Sequence, residues 1–163
     1  MPTIFTHAEP FFGSTTTLAS NLTINAGSGD ITFTGEVDGG FALAENSTGK
    51  ATFSATVGNG TALASVTTNA GGTTAINGAI VTTTGAQTYN DAVLLGANTT
   101  LASTGGGNIT LASTVNGDNA QFSFAVNTNG TTTFGGGLGG INVVLASVTT
   151  DAGGTTHING GSI

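Results

Sequence analysis

The sequence predicts an all-β protein, a single parallel β-solenoid of about seven coils with roughly 20–25 residues in each coil. Three observations lead to this prediction. The chain contains an internal duplication, its apolar and polar residues alternate in the manner of strands, and turn-forming pairs recur along it. Strands that return at fixed intervals and stack on one another explain all three features.

The duplication sets the architecture. LASVTTNAGGTTAING at 63–78 recurs as LASVTTDAGGTTHING at 145–160, with only two positions changed. A weaker match relates 6–20 to 89–103 at nearly the same offset. We therefore interpret 1–163 as one solenoid made of two repeats of about 82 residues, about 1–83 and 84–163.

The offset between the repeats changes at two places along the chain. The first repeat has extra residues near 21–29, and the second has extra residues near 116–119. Both stretches are polar and rich in Gly, so we expect the extra residues to lie in turns, where a stack of strands tolerates insertions.

Individual strands follow from alternation. In 122–127, Phe122, Phe124 and Val126 alternate with small or polar residues, as expected for a strand with one buried face. No stretch keeps apolar residues at the spacing of a helix. An additional strand is expected in 89–95. The other expected strand centres are Ile31, Phe53, Ile76, Ile109, Phe134 and Ile158.

Turn signals separate the expected strands. Asn-Gly and Gly-Gly pairs favour tight turns, because Gly and Asn tolerate a positive φ. They occur as Asn-Gly at 59–60, 77–78, 116–117, 129–130 and 159–160, and as Gly-Gly at 39–40, 71–72 and 153–154.

Composition excludes several classes of function. The formal net charge is −7, and Lys50 is the only lysine or arginine, so the chain has almost nothing to neutralise the phosphates of a nucleic acid. There is no cysteine for a disulfide or a thiolate metal site, and no apolar run approaches the length of a membrane span. We therefore expect no nucleic-acid partner and no membrane insertion.

Long stretches of Thr, Gly and Asn carry a family resemblance. The segments 66–100, 108–118 and 127–140 resemble the repeats of filamentous-haemagglutinin-like bacterial surface proteins, and the resemblance covers nearly the whole chain. It implies a right-handed parallel β-helix, the hand that crossover connections also favour. It further implies an extracellular or cell-surface location and a role as an adhesin stalk or surface fibre.

Catalysis is not expected. β-Helix enzymes that cleave acidic polysaccharides cluster Asp with Arg or Lys, whereas the acidic residues of this chain are spread out, half of them beside Gly in expected turns. We predict solvated turn carboxylates, no enzymatic activity, no catalytic residue and no cofactor. The acidic residues are Glu9, Asp30, Glu36, Asp38, Glu45, Asp91, Asp118 and Asp151.

Two features of the sequence bear on metal binding. His7 and His157 are the only histidines and lack the spacing of metal ligands, so we predict no metal site and structural or surface roles for both. Glu36 and Asp38 lie close together at the end of an expected strand, where both could face one side. A weak cation site at that pair is the alternative.

Threonine and asparagine patterns suggest two further binding modes. Threonines on a flat solenoid face can order water and bind ice, but the Thr-x-Thr pairs at 15–17, 32–34, 82–84 and 131–133 fall at different phases of the coil. Asn-x-Thr triplets, which match the glycosylation sequon, are expected by chance in this composition. The triplets begin at Asn21, Asn46, Asn59, Asn98, Asn108 and Asn129.

The two termini fall at nearly the same phase of the repeat. Residue 1 aligns with position 84 and residue 163 with position 81. Head-to-tail stacking would continue the solenoid into a second copy, an interface that does not close and so forms a fibre. The alternatives are a stalk segment of a large secreted adhesin, or a Thr-rich face that binds ice or glycan. The residues predicted at the assembly interface are Ile4, Phe5, Phe11, Phe12, Ile158, Asn159 and Ile163.

Overall fold

The computed structural model describes residues 3–5, 9–140 and 143–161, and across these ranges the chain forms twenty β-strands and no helix. Every strand pairing is parallel. The strands are numbered β1 to β20 in chain order, and they stack as three ladders that we name faces A, B and C. The prediction of a parallel β-solenoid with about seven coils is confirmed.

Face A is the longest ladder and contains eight strands. Successive strands of this face pair Leu22 with Leu43 and Thr132 with Thr156, so one coil has the predicted length. In spatial order its strands are β1 (Thr3–Phe5), β4 (Leu22–Gly27), β7 (Ala42–Ser47), β9 (Ser65–Thr68), β12 (Gln87–Tyr89), β15 (Ile109–Leu111), β18 (Thr131–Phe134) and β20 (Thr155–Ile158).

Face B follows face A in each coil. Its strands are β2 (Phe11–Phe12), β5 (Ile31–Phe33), β8 (Lys50–Phe53), β10 (Thr73–Ile76), β13 (Ala92–Leu95) and β16 (Val115–Gly117). In the seventh coil this face is reduced to a single bridge between Leu138 and Val115.

Face C completes each coil. Its strands are β3 (Thr16–Thr17), β6 (Val37–Asp38), β11 (Ile80–Thr83), β14 (Thr99–Ser103), β17 (Ser123–Thr128) and β19 (Ser147–Thr150). In the third coil Val57 bridges Val37 to Val81 and so joins the two parts of the ladder.

The core consists of stacked inward side chains. Phe12, Phe33 and Phe53 form one column on face B, with ring centroids 4.5 and 5.5 Å apart and nearly parallel planes. Ile76 and Leu95 continue that column. Apolar residues thus stack from coil to coil along face B and pack the narrow interior on that side.

The extra residues near 21–29 do not lie in a turn, as the sequence suggested. They contain β4, a complete strand of face A. One coil has three strands. Because the first repeat gains one strand and its turn, each later residue of the first repeat lies one face away from its duplicate in the second repeat. The stretch near 116–119 begins inside β16 and continues into the following turn.

The duplicated segments therefore occupy different faces. The sequence SVTT forms β9 on face A in the first repeat and β19 on face C in the second. The strand that follows it is β10 (TTAI) on face B in the first repeat and β20 (TTHI) on face A in the second. The strand expected in 89–95 is also two strands, β12 and β13, separated by a corner at Asn90–Asp91.

Candidate functional site

The C-terminal end of the solenoid exposes residues whose duplicates are buried. Ile76 in β10 is 0 % exposed, whereas Ile158 at the same place in β20 is 51 % exposed. Val66 in β9 is buried, and Val148 in β19 is half-buried. The difference arises because another coil covers β9 and β10, while no described strand covers β19 and β20.

An open cavity of about 330 Å³ lies at the same end. Most of its lining is apolar, and Val144 is 55 % exposed. This surface was not among the residues predicted from the sequence, although Leu145 is the duplicate of Leu63, which is fully buried. The lining residues are Leu138, Gly139, Val144, Leu145, Ser147 and Val148.

The N-terminal end presents the first strands of all three faces. Phe11 on face B is 68 % exposed, the largest value among the large apolar side chains of the described residues. Phe12 is half-buried against Phe33. On face A, the backbone of Ile4 occupies the register position beside Ile24, a buried residue, and Phe5 pairs with Asn25.

The predicted interface residues thus fall into two groups at opposite ends of the solenoid. Ile4, Phe5, Phe11 and Phe12 belong to the first coil, whereas Ile158 and Asn159 belong to the last. The backbone N–H of Asn159 donates to the Phe134 carbonyl at 2.8 Å and its side chain is exposed. Ile163 lies outside the described residues. This separation is what a head-to-tail contact requires, and the contact itself stays a prediction.

The acidic pair Glu36 and Asp38 serves local structure. Thr56 Oγ1 donates to Glu36 Oε1 at 2.9 Å. The backbone N–H groups of Gly60 and Thr61 donate to Asp38 Oδ1 at 3.0 and 3.1 Å, which holds the loop that follows Val57. Among the described residues no three His, Cys, Asp or Glu side chains come together as a metal site would need. His157 is exposed on β20, and His7 lies outside the described residues.

Two acidic residues, Glu45 and Asp91, are buried, contrary to the prediction of solvated turn carboxylates. Asp91 lies at the corner between β12 and β13, and Glu45 lies inside the solenoid. Glu45 is 1 % exposed and stands in the inward column of face A, between Ile24 and Thr68. Both of its carboxyl oxygens, and Thr68 Oγ1, lack a hydrogen-bond partner among the described residues. The burial of Glu45 could have been predicted from the alternation Leu43-x-Glu45, because it places Glu45 on the same side of the strand as a core residue.

Burial governs the ionisation of this interior group. Desolvation raises the pKa of Glu45 from 4.5 to about 8, and the nearby Asp91 carboxylate contributes to that rise. Burial likewise raises the pKa of Asp91, which is opposed by hydrogen bonds from the Gly72 N–H and Thr74 Oγ1. Burial, and then Glu45, raise the pKa of Tyr89, whose hydroxyl donates to Gln87 Oε1.

The predicted Thr-x-Thr pairs lie on different faces. Residues 15–17 and 82–84 are on or beside face C, 32–34 on face B and 131–133 on face A. The structure also shows a single threonine column on the outside of face A, interrupted by Ala44, that the sequence analysis did not find. Its members are Thr3, Thr23, Thr67, Thr88, Thr110 and Thr133.

The asparagines of the sequon triplets are exposed, and several of them bridge coils. The side-chain oxygens of Asn21, Asn98 and Asn108 accept hydrogen bonds from backbone N–H groups of the following coil at 2.9–3.0 Å. Asn46 Nδ2 donates to Asn25 Oδ1 at 2.8 Å. These amides support the turns between strands, which gives them a structural role.

Comparison with protein-family models, with curated proteins and with solved structures finds no match for this chain. Within the described residues there is no helix of the length and apolarity that crossing a membrane requires.

Proposed function

We propose that this protein is a non-catalytic structural subunit whose copies stack head to tail into an extracellular or cell-surface fibre. One observation carries the proposal. The strand pair formed by SVTT and TTAI is fully covered inside the solenoid, whereas its duplicate, SVTT and TTHI, is uncovered at the end of the described stack. Because the same two strands already accept a covering coil inside this chain, the uncovered duplicate at the end is suited to accept a coil from another molecule.

Physical chemistry favours covering that end. Full burial of an Ile side chain contributes about 1.5–3 kcal/mol, so covering the half-exposed Ile158 contributes on the order of 1 kcal/mol. Within the described residues the outer edges of β1 and β20 pair with no strand, so their backbone N–H and C=O groups are free to extend the ladder. Main-chain pairing would supply affinity, and the apolar column would supply register.

The location and biological setting of the fibre rest on the resemblance to filamentous-haemagglutinin-like surface proteins. The alternative is a stalk segment of a large secreted adhesin, in which further coils of the same chain cover β19 and β20. The reading frame of the gene distinguishes the two, because a stop codon after Ile163 supports the subunit and continuing repeats support the stalk.

A second candidate function rests on the threonine column of face A. Hydroxyl and methyl groups repeat there at the coil spacing, about 4.8 Å, and no charged side chain interrupts the column. Such a surface could order water and bind ice, or contact a repetitive glycan. Thermal hysteresis and glycan-array binding of the purified protein test this function, and negative results in both would remove it.

Electron microscopy of the purified protein tests the fibre. We expect unbranched rods, and we expect Ile158→Asp to shorten or abolish them, because it places a charge in the contact that must be desolvated. Thr110→Asp is the matched control, since it adds the same charge to the outside of face A in mid-solenoid. Monodisperse particles of the parent protein at high concentration would refute the proposal.

A further inference from the structure

The boundary between the fourth and fifth coils shows how a coil covers the SVTT and TTAI strands. On this boundary β12 lies on β9, with Val66 beside Gln87. In the same way β13 lies on β10, with Ala75 beside Leu94 and Ile76 beside Leu95. These pairings leave Ile76 and Leu95 fully buried.

Both sides of that boundary recur at the ends of the solenoid. The duplicates of β9 and β10 are β19 and β20 at the C-terminal end. The counterparts of β12 and β13, in the alignment of the two repeats, are β1 and β2 at the N-terminal end. Leu94 and Leu95 correspond to Phe11 and Phe12 in this alignment, so the apolar character of the covering strand is kept.

We infer that β1 and β2 of a second copy cover β19 and β20 in the register of the boundary between the fourth and fifth coils. This inference rests on the proposed function and specifies its contact. It places Phe12 of the second copy beside Ile158, and Phe11 beside His157. The most exposed large apolar side chain at one end and the half-exposed Ile158 at the other then lie on adjacent strands.

The register has a geometric consequence. Within one molecule β1 and β2 lie on faces A and B, but β19 and β20 lie on faces C and A. Each copy must therefore be rotated about the fibre axis by one face relative to the copy that it follows. Three copies restore the starting orientation, because the solenoid has three faces.

The fibre dimensions follow from the same register. The first strand of the second copy lies on face C, directly above the seventh coil. Each copy thus advances the stack by about seven and two-thirds coils, or about 37 Å along the axis at about 4.8 Å per coil. The full repeat of three copies is about 110 Å.

An alternative contact without rotation places β1 of the second copy on β20. Face A would then continue as one ladder, with Thr3 of the second copy beside His157, because Thr3 begins the outward column that ends at His157. The contact leaves β19 on face C without a strand above it, so Ser147 and Val148 at the edge of the cavity stay uncovered, whereas the rotated contact covers them.

Engineered cysteines distinguish the two contacts, since the natural sequence has none. Neighbouring residues on parallel strands are close enough for a disulfide. Phe11→Cys with His157→Cys reports the rotated contact, and Thr3→Cys with His157→Cys reports the unrotated one. Ala75→Cys with Leu94→Cys is the matched control, because this pair occupies the equivalent register inside one chain.

The readouts are rods in the electron microscope and covalent multimers on a non-reducing gel. We expect rods, a multimer ladder for the Phe11/His157 pair at least tenfold stronger than for the Thr3/His157 pair, and an intramolecular disulfide in the control. Rods with the opposite preference, or rods with neither ladder while the control disulfide forms, overturn the rotated contact. Absence of rods from the parent protein instead overturns the proposed function.

Discussion

Glu45 is an acidic residue that is buried inside the solenoid, where a charged carboxylate is unfavourable. Its carboxyl group is fully buried, both oxygens lack hydrogen-bond partners among the described residues, and the charged group that perturbs it is another acid, Asp91. A buried unpaired charge is costly, so the group takes up a proton instead. The solenoid interior consequently holds a neutral carboxylic acid at neutral pH.

A dependence of stability on pH follows from that protonation. Because the pKa of Glu45 is 4.5 in its ordinary state and about 8 in the fold, the folded state binds more protons than the unfolded state between these values. The free energy of unfolding therefore falls as pH rises from about 5 to about 8, by up to about 1.4 kcal/mol per pH unit from this group, and this contribution levels off above that range. Urea titrations across the range measure it.

Substitution isolates the group responsible. Glu45→Gln should remove most of this slope, because the amide does not titrate, whereas Glu9→Gln at an exposed position should leave the slope unchanged. A Glu45→Gln protein with the full slope of the parent would assign the effect to other residues. Asp91, whose pKa is also raised, contributes in the same direction at lower pH.

At the scale of single elements, alternation predicted the strands but not their faces. The residues predicted as strand centres all lie in strands, but each is the first or the last residue of its strand. They are Ile31, Phe53, Ile76, Ile109, Phe134 and Ile158. The pattern of a strand records which side is buried, and it is the same on every face of a solenoid. The sequence therefore could not show that later strands move by one face. The strand β4 was missed although its residues 22–26 alternate between apolar and polar as a half-buried strand does.

The aromatic column of face B should dominate local stability. Phe33→Ala should lower the free energy of unfolding by about 3–5 kcal/mol, because it empties a fully buried position between two stacked rings. Phe11→Ala removes the same ring from a position that is 68 % exposed and should change the free energy by less than about 0.5 kcal/mol. Equal losses in denaturant titrations would contradict the stacking account.

Gly78, at the corner after β10, must be glycine because the backbone of the neighbouring coil lies very close to its Cα. A Cβ at Gly78 would clash with the carbonyl group of Ala55 in the coil below. Gly78→Ala should therefore destabilise the fold by about 1–3 kcal/mol. Gly40 has open space around its Cα, so Gly40→Ala is the control and should cost much less. Thermal unfolding of the two variants provides the comparison.

At the scale of the whole molecule, the duplication predicted a stack and placed candidate contact residues at its two ends. It did not reveal the apolar cavity around Val144 and Leu145, because loop residues carry no alternation. Nor did it reveal the rotation between the repeats, which depends on the number of strands in a coil. The duplicated segments form the same two-strand surface twice. The first copy, β9 and β10, is covered by the next coil, and the second copy, β19 and β20, is covered by no described strand.

The most direct test of this account is helical reconstruction by electron cryo-microscopy of the purified protein at high concentration. We predict unbranched rods in which each copy advances by about 37 Å and turns by one face, about a third of a revolution apart from the small twist of the solenoid. A solution that contains only monodisperse single particles would contradict the account.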